Sequence, residues 1–281
     1  MYENILFEKK DGVAYLTLNR PDRLNALNGA VLKELDDALA AIDGDAEIRV
    51  LVVRGAGEKA LAAGADITEM QSMEAEAGMA FGAFGQKVFA KIEALRQPSI
   101  AMIPGFALGG GCELALACDI RIASEKARFG QPEVGLGIMA GFGGTQRLPR
   151  LVGRGAASLL LFSGNMIDAA EALRIGLVDK IVPHDALAAE VSALAEGIAR
   201  QACCAVQQTK RCIRHGLESG PRIASRTAQV RPLFLHEGAE GQDARLRQSP
   251  PLIGFRCATL GGWTEWKQRS GNALMRSLRG P

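Results

Sequence analysis

The sequence predicts an α/β fold, and three observations carry that expectation: an alternating apolar pair of segments at the start, a stretch of helical period before a short apolar run, and the return of that rhythm further on. Ile5 to Glu8 and Val13 to Leu18 read as strands, with Lys10-Asp11-Gly12 between them as a hairpin signal. Val31, Leu32, Leu35, Leu39 and Ile42 then recur at helical spacing ahead of the apolar run Val50 to Val53. The same β-α-β rhythm reappears around Ile100 to Ile103 and Ile120 to Ala123, and Ala186 to Ala202 and Ala205 to Leu217 read as late helices. No repeat of fixed period and no heptad pattern is present in the sequence.

Composition bounds the function classes. A chain of 281 residues, 48% hydrophobic and 23% charged, can bury a sizeable core in one large domain plus a smaller segment. Lys and Arg number 33 against 31 Asp and Glu, a net charge of +2 that is too balanced for a nucleic-acid partner. Met1-Tyr2-Glu3-Asn4-Ile5 has neither a basic nor an apolar leader region, and no stretch reaches the roughly 18 apolar residues of a membrane helix. No membrane partner and a cytoplasmic location are therefore expected. Cys112, Cys118, Cys203, Cys204, Cys212 and Cys257 lack metal-ligand spacing and the density of a disulfide scaffold, so they read as reduced, mostly buried thiols. His184, His215 and His236 are isolated and read as surface residues. No metal and no redox cofactor are expected.

Chemistry concentrates at three glycine-bearing turns, Ala63-Gly64-Ala65-Asp66, Gly109-Gly110-Gly111-Cys112-Glu113 and Phe129-Gly130-Gln131-Pro132-Glu133. The second follows an apolar run and opens the helix-like stretch Leu114-Ala115-Leu116-Ala117-Cys118, a strand-to-helix turn where backbone N–H groups are free. Glycine there lets another molecule approach the backbone, which suits a donor aimed at a developing oxyanion, with Gly110 as the candidate. Glu113 also fits a plain first-turn helix charge, and Glu133 a solvated loop residue. Against the plain reading, Cys112, Leu114, Ala115 and Leu116 surround Glu113 and should desolvate it, raising its pKa. Cys112 as a nucleophile lacks a histidine nearby in sequence. Gly141-Phe142-Gly143-Gly144-Thr145 lacks the Gly-Lys-Ser/Thr ending of a phosphate loop and reads as a structural turn opening a helix.

Together with Gly105-Phe106-Ala107-Leu108 before the second turn, Gly143-Gly144-Thr145-Gln146-Arg147-Leu148, Arg20-Pro21-Asp22-Arg23-Leu24-Asn25-Ala26-Leu27 and Ala170-Glu171-Ala172-Leu173-Arg174-Ile175-Gly176-Leu177-Val178, these strings resemble the crotonase (enoyl-CoA hydratase/isomerase) family in order and spacing over roughly residues 3 to 226. The resemblance implies a spiral of ββα units with a C-terminal helical region, and, because both glutamates are kept, a hydratase that adds water to a short- or medium-chain 2-enoyl-CoA. It implies that the amides of Ala65 and Gly110 hold the thioester oxygen, that Glu113 takes a proton from water, and that Glu133 supplies the proton reaching C2. It further implies that Arg23, Leu24, Ala26, Ala63, Asp66, Ile67 and Thr68 line the path of coenzyme A, and that the chain forms a homotrimer or a dimer of trimers. A Δ3-Δ2 enoyl-CoA isomerase, another lyase of this type, or an inactive acyl-CoA-binding member stay open as alternatives.

The chain departs from the family pattern in three places. Ala140 and Phe142 replace a proline and a small residue, and Leu61 replaces a phenylalanine, which leaves acyl-chain preference open. The sequence divides into an expected spiral core over 1–190, a helical region over 191–230, and a tail over 231–281 rich in Pro, Gly and Arg and without the family's amphipathic, basic ending. Back-translated with ordinary codons and read one nucleotide over, the segment from Arg231 gives Gly-Leu-Phe-Phe-Ser-Thr-Lys-Ala-Gln-Lys-Asp-Arg, similar to that missing ending. The tail is thus expected to be an irregular product of a shifted frame; coding DNA across Thr227 to Arg231 with no such neighbouring frame refutes it.

Overall fold

A computed structural model describes residues 2–218. The expectations for 231–281, and for the last part of the helical region, lie outside the described residues.

Strands β1 (Ile5–Lys10) and β2 (Val13–Leu18) form the expected antiparallel hairpin. Its two-residue turn, Asp11 and Gly12, has φ of 51° and 80°, the left-handed pair that matches the twist of the flanking strands. Helix α1 (Gly29–Gly44) starts where the Asn28 side chain accepts the Val31 amide at 2.9 Å, and it buries the predicted stripe Val31, Leu32, Leu35, Leu39 and Ile42. The chain continues through β3 (Val50–Gly55), β4 (Ala60–Ala62), the short α2 (Ile67–Met70), the long α3 (Ala75–Ala94), β5 (Ser99–Ile103), β6 (Phe106–Leu108) and α4 (Gly110–Ala117). It then forms β7 (Ile120–Ser124), β8 (Arg128–Gly130), α5 (Gly144–Val152), α6 (Arg154–Ser163), β9 (Met166–Asp168), α7 (Ala169–Arg174), β10 (Lys180–Val182), α8 (Leu187–Ala199) and α9 (Cys203–Glu218).

Two strands then a helix recur through the first half, and after the β1–β2 hairpin the strands of each pair go to different sheets. The larger sheet runs β1-β2-β3-β5-β7-β10 and the smaller β4-β6-β8-β9. Alternation along each strand divides the large sheet's residues between two cores. Ala14, Leu16, Leu51 and Val53 join one core with α1 and α3, while Val13, Val50 and Val52 pack under Leu187, Val191 and Ala195 of α8.

Helix α9 follows, held by Lys210, whose ammonium lies 2.7 Å from Asp119 and donates to the Gln97 carbonyl at 2.9 Å. No helix among the described residues is long and apolar enough to cross a membrane.

The structure corrects several sequence expectations. The glycine turn does not follow Ile100 to Ile103 directly; the short strand β6 intervenes, and only Gly109 lies outside the helix, with Gly110 and Gly111 as its first two residues. Three alternating residues are too few for a period to register. The late helices start and stop a few residues away from the expected bounds, at Leu187 to Ala199 and Cys203 to Glu218. Of the five described cysteines, Cys112 and Cys118 are buried, Cys203 and Cys212 half-buried, and Cys204 exposed. His184 is half-buried rather than fully exposed, with its Nδ1 3.0 Å from the hydroxyl of the buried Ser124.

Candidate active site

Strands β4, β6 and β8 run parallel side by side, with Ala62 opposite Ala107 and Leu108 opposite Gly130. Their carboxyl ends therefore deliver the three glycine turns to one place, the crevice where parallel sheets commonly receive ligands. Gly109 continues the ladder by donating to the Gly130 carbonyl at 2.9 Å and then bends at φ 49°, ψ −124°, a conformation suited to glycine. A Cβ on Gly109 would lie 2.8 Å from Glu133 Oε1 and 3.7 Å from the Gly64 Cα, so the first and third turns flank the second.

Two amides at this junction are left without an acceptor among the described residues. In the Leu27–Ala65 bridge, Leu27 donates to the Gly64 carbonyl and accepts from the Asp66 amide, both at 2.8 Å, so Ala65 turns its own N–H away. Gly110 is the first residue of α4, and its N–H has no carbonyl one turn back to bond. Free backbone amides are the donors that an oxyanion hole uses.

Glu113, in the first turn of α4, is 1% exposed. Its Oε1 accepts the Phe142 amide at 2.9 Å and the Gly144 amide at 2.6 Å, which leaves Oε2 for chemistry. Burial raises its pKa to about 7; the nearby charge of Glu133 adds to the rise and the two amides oppose it. Glu133 sits in the short 3₁₀ turn Pro132–Leu136, and burial raises its pKa too. The charge of Glu133 reaches Glu113 and adds to the rise there.

Sequence reasoning missed what holds this pair. Gln131, 1% exposed, turns its amide nitrogen to both oxygens of Glu133, at 3.0 Å and 3.1 Å, in the orientation that satisfies its hydrogen bonds. The turn at Gly141 to Thr145 does open a helix, as expected, but it is more than structural, because its amides cradle Glu113. A backbone donor carries no side-chain signal; only the absence of a side chain at Gly144 hints at it. Cys112 is no nucleophile: burial, reinforced by Glu113 and Glu133, pushes its thiol pKa far up.

The residues expected along the coenzyme A path lie on two segments that hydrogen-bond to each other beside the Ala65 turn. Arg23 is exposed, and Leu24 and Asn25 follow in the left-handed region, pinned by the Asn25 side chain to the Ala60 carbonyl at 3.0 Å. The Ala63 amide is occupied by the Leu24 carbonyl, which lays residues 23–26 beside the Ala65 turn and brings Ala26 to it. Asp66 is engaged internally: it caps α2 through the Thr68 amide and pairs with Arg20 at 2.9 Å, and although burial pushes its carboxyl up, Arg20 and the Thr68 and Glu69 amides together hold it low. Arg20, which also donates to the Ala26 carbonyl at 2.7 Å, was missed in the sequence. The Asp66 and Thr68 amides are thus used within the fold, while the Ile67 side chain is half-exposed. Among the described residues no His, Cys, Asp and Glu side chains gather as a metal site.

The chain is similar to known proteins in both sequence and fold. The family model described as enoyl-CoA hydratase/isomerase matches residues 8–242. The chain is 51% identical over 218 residues to a crotonyl-CoA hydratase of Syntrophomonas wolfei, covering 78% of this chain and 84% of that one. It is 52% identical over 215 residues to a short-chain-enoyl-CoA hydratase of Clostridium acetobutylicum, covering 76% and 82%. Among solved structures, an enoyl-CoA hydratase from Bacillus anthracis superposes with a TM-score of 0.82 at 37% identity, covering 89% of this chain and 99% of that one.

Proposed function

The chain belongs to the enoyl-CoA hydratase/isomerase family, and from that premise we propose that it is an enoyl-CoA hydratase, adding water reversibly across the double bond of a trans-2-enoyl-CoA to give a 3-hydroxyacyl-CoA. The thioester oxygen accepts the amides of Ala65 and Gly110. Each such donor stabilises the enolate that develops as water adds at C3 by roughly 2.7 to 4 kcal/mol. Glu113 Oε2 takes the proton of the attacking water, and Glu133, steadied by Gln131, supplies the proton that reaches C2. Two carboxyls whose burial raises both above the ordinary range suit this division, because hydration needs one carboxylate and one carboxylic acid. Coenzyme A runs along Arg23, Leu24, Ala26 and the Ala63 to Thr68 turn, with the exposed Arg23 guanidinium available to its phosphates.

The observation that carries this reading is the junction itself: a buried Glu113 with a pKa near 7, beside Glu133 and two unpaired amides. The enzyme acts in the cytoplasm as a trimer or dimer of trimers, and the exposed apolar side chains Val134, Leu136, Leu159, Phe162 and Met166 supply surface for that association. Mixing purified protein with crotonyl-CoA tests the activity. Loss of the conjugated thioester's ultraviolet absorbance with formation of 3-hydroxybutyryl-CoA supports it, while binding without loss, or double-bond migration alone, contradicts it.

A further inference from the structure

Phe142 occupies a position that a reaction site does not obviously need to fill with a ring. It is 3% exposed and lies edge-on between Phe81 and Phe89 of α3, with centroids 5.2 Å and 5.5 Å away and planes at 66° and 80°. One edge rests on Gly85: a Cβ there would meet a ring carbon at 2.2 Å. The opposite edge faces Gly110, where an added Cβ would lie 3.0 Å from the ring and 3.3 Å from Leu27. The ring thus spans the gap between α3 and the start of α4. It cannot withdraw freely, since its own backbone amide holds Glu113 and its carbonyl accepts Arg147 at 2.7 Å.

We infer that Phe142, seated on Gly85, is the residue that sets acyl-chain length and restricts the enzyme to short, crotonyl-type thioesters. This inference rests on the hydratase reading. With the thioester oxygen at Gly110 and C3 at Glu113, the acyl chain beyond C3 sets off between those two residues, and the aromatic edge of Phe142 is what it meets. Longer chains would have to displace a ring backed by Phe81, Phe89 and the bare backbone of Gly85, and close-packed interiors yield little. Glycine at position 85 is the complement of the ring, because any side chain there would evict it.

The test compares kcat/KM for crotonyl-CoA and trans-2-octenoyl-CoA in the wild type, Phe142→Ala and Phe81→Ala. The wild type should favour crotonyl-CoA by about tenfold or more, and Phe142→Ala should shrink that ratio by a similar factor, with Phe81→Ala between them. A ratio within one protein cancels any general damage passed to Glu113. Equal use of both substrates by the wild type, or an unchanged ratio in Phe142→Ala, overturns the inference. Absence of crotonyl-CoA turnover contradicts the hydratase reading instead. In that event calorimetric Kd values for butyryl-CoA and octanoyl-CoA decide chain length alone: a gain for octanoyl-CoA in Phe142→Ala supports it, and an unchanged ratio overturns it.

Discussion

Oε1 of Glu113 accepts the Gly144 amide at 2.6 Å, and a Cβ on Gly144 would stand 3.0 Å from that same oxygen. The closeness fixes which carboxylate oxygen is held and which is left to meet water. It also makes Gly144 part of the site through its backbone alone, with Phe142 completing the cradle.

Gly144→Ala should therefore act on catalysis more than on the fold. The added methyl has to push Glu113 or the Gln131 amide aside by a few tenths of an ångström, enough to spoil alignment of a proton transfer. We expect kcat for crotonyl-CoA to fall about tenfold or more with KM little changed and the circular dichroism spectrum kept. Wild-type kcat in a folded variant would contradict the cradle.

Glu113 also gives the fold a pH dependence of definite sign. Its carboxyl titrates near 7 when folded against 4.5 ordinarily, so between those values the native state binds more protons than the unfolded chain. Stability falls as pH rises through that window and levels off above it, by about 3 kcal/mol in all. Glu113→Gln keeps an oxygen for the two amides without a charge. It should unfold at higher denaturant than the wild type at pH 8 and at about the same denaturant at pH 4.5. A difference that does not change with pH would contradict the burial of a titrating carboxyl.

Lys210 tests how α9 is attached. Its 10% exposed side chain reaches Asp119 and two backbone carbonyls, those of Ile92 and Gln97. Lys210→Met keeps the stem and removes the charge, and should cost about 2 kcal/mol, read as a lower urea midpoint with the same slope. Crotonyl-CoA turnover at saturating substrate should be retained. An unchanged midpoint would show that α9 is held by other contacts.

Much of this was legible in the sequence. The hairpin, α1 and the strands at Val50, Ile100 and Ile120 follow from periods of two and 3.6, since each has one face committed to a core. Glu113 was legible because its neighbours are apolar and small, and Gly110 because a strand-to-helix turn leaves amides free. The three-residue strands β4, β6 and β8 were not, being too short to show a period, yet they are what aligns the three turns. Backbone cradles such as Phe142 and Gly144 depend on a segment some thirty residues from Glu113, and the contact of Gln131 with Glu133 on side-chain orientation in one turn, so neither leaves a mark in the sequence. The expected tail over 231–281 lies outside the described residues.

The central claim is that two carboxyls, Glu113 and Glu133, handle one water. Steady-state hydration of crotonyl-CoA by Glu113→Gln and by Glu133→Gln tests it most directly, since each change preserves shape and removes a proton carrier. The account predicts that each variant stays folded, binds with nearly wild-type KM and loses about 10²-fold or more in kcat. Near-wild-type turnover in either variant would contradict it.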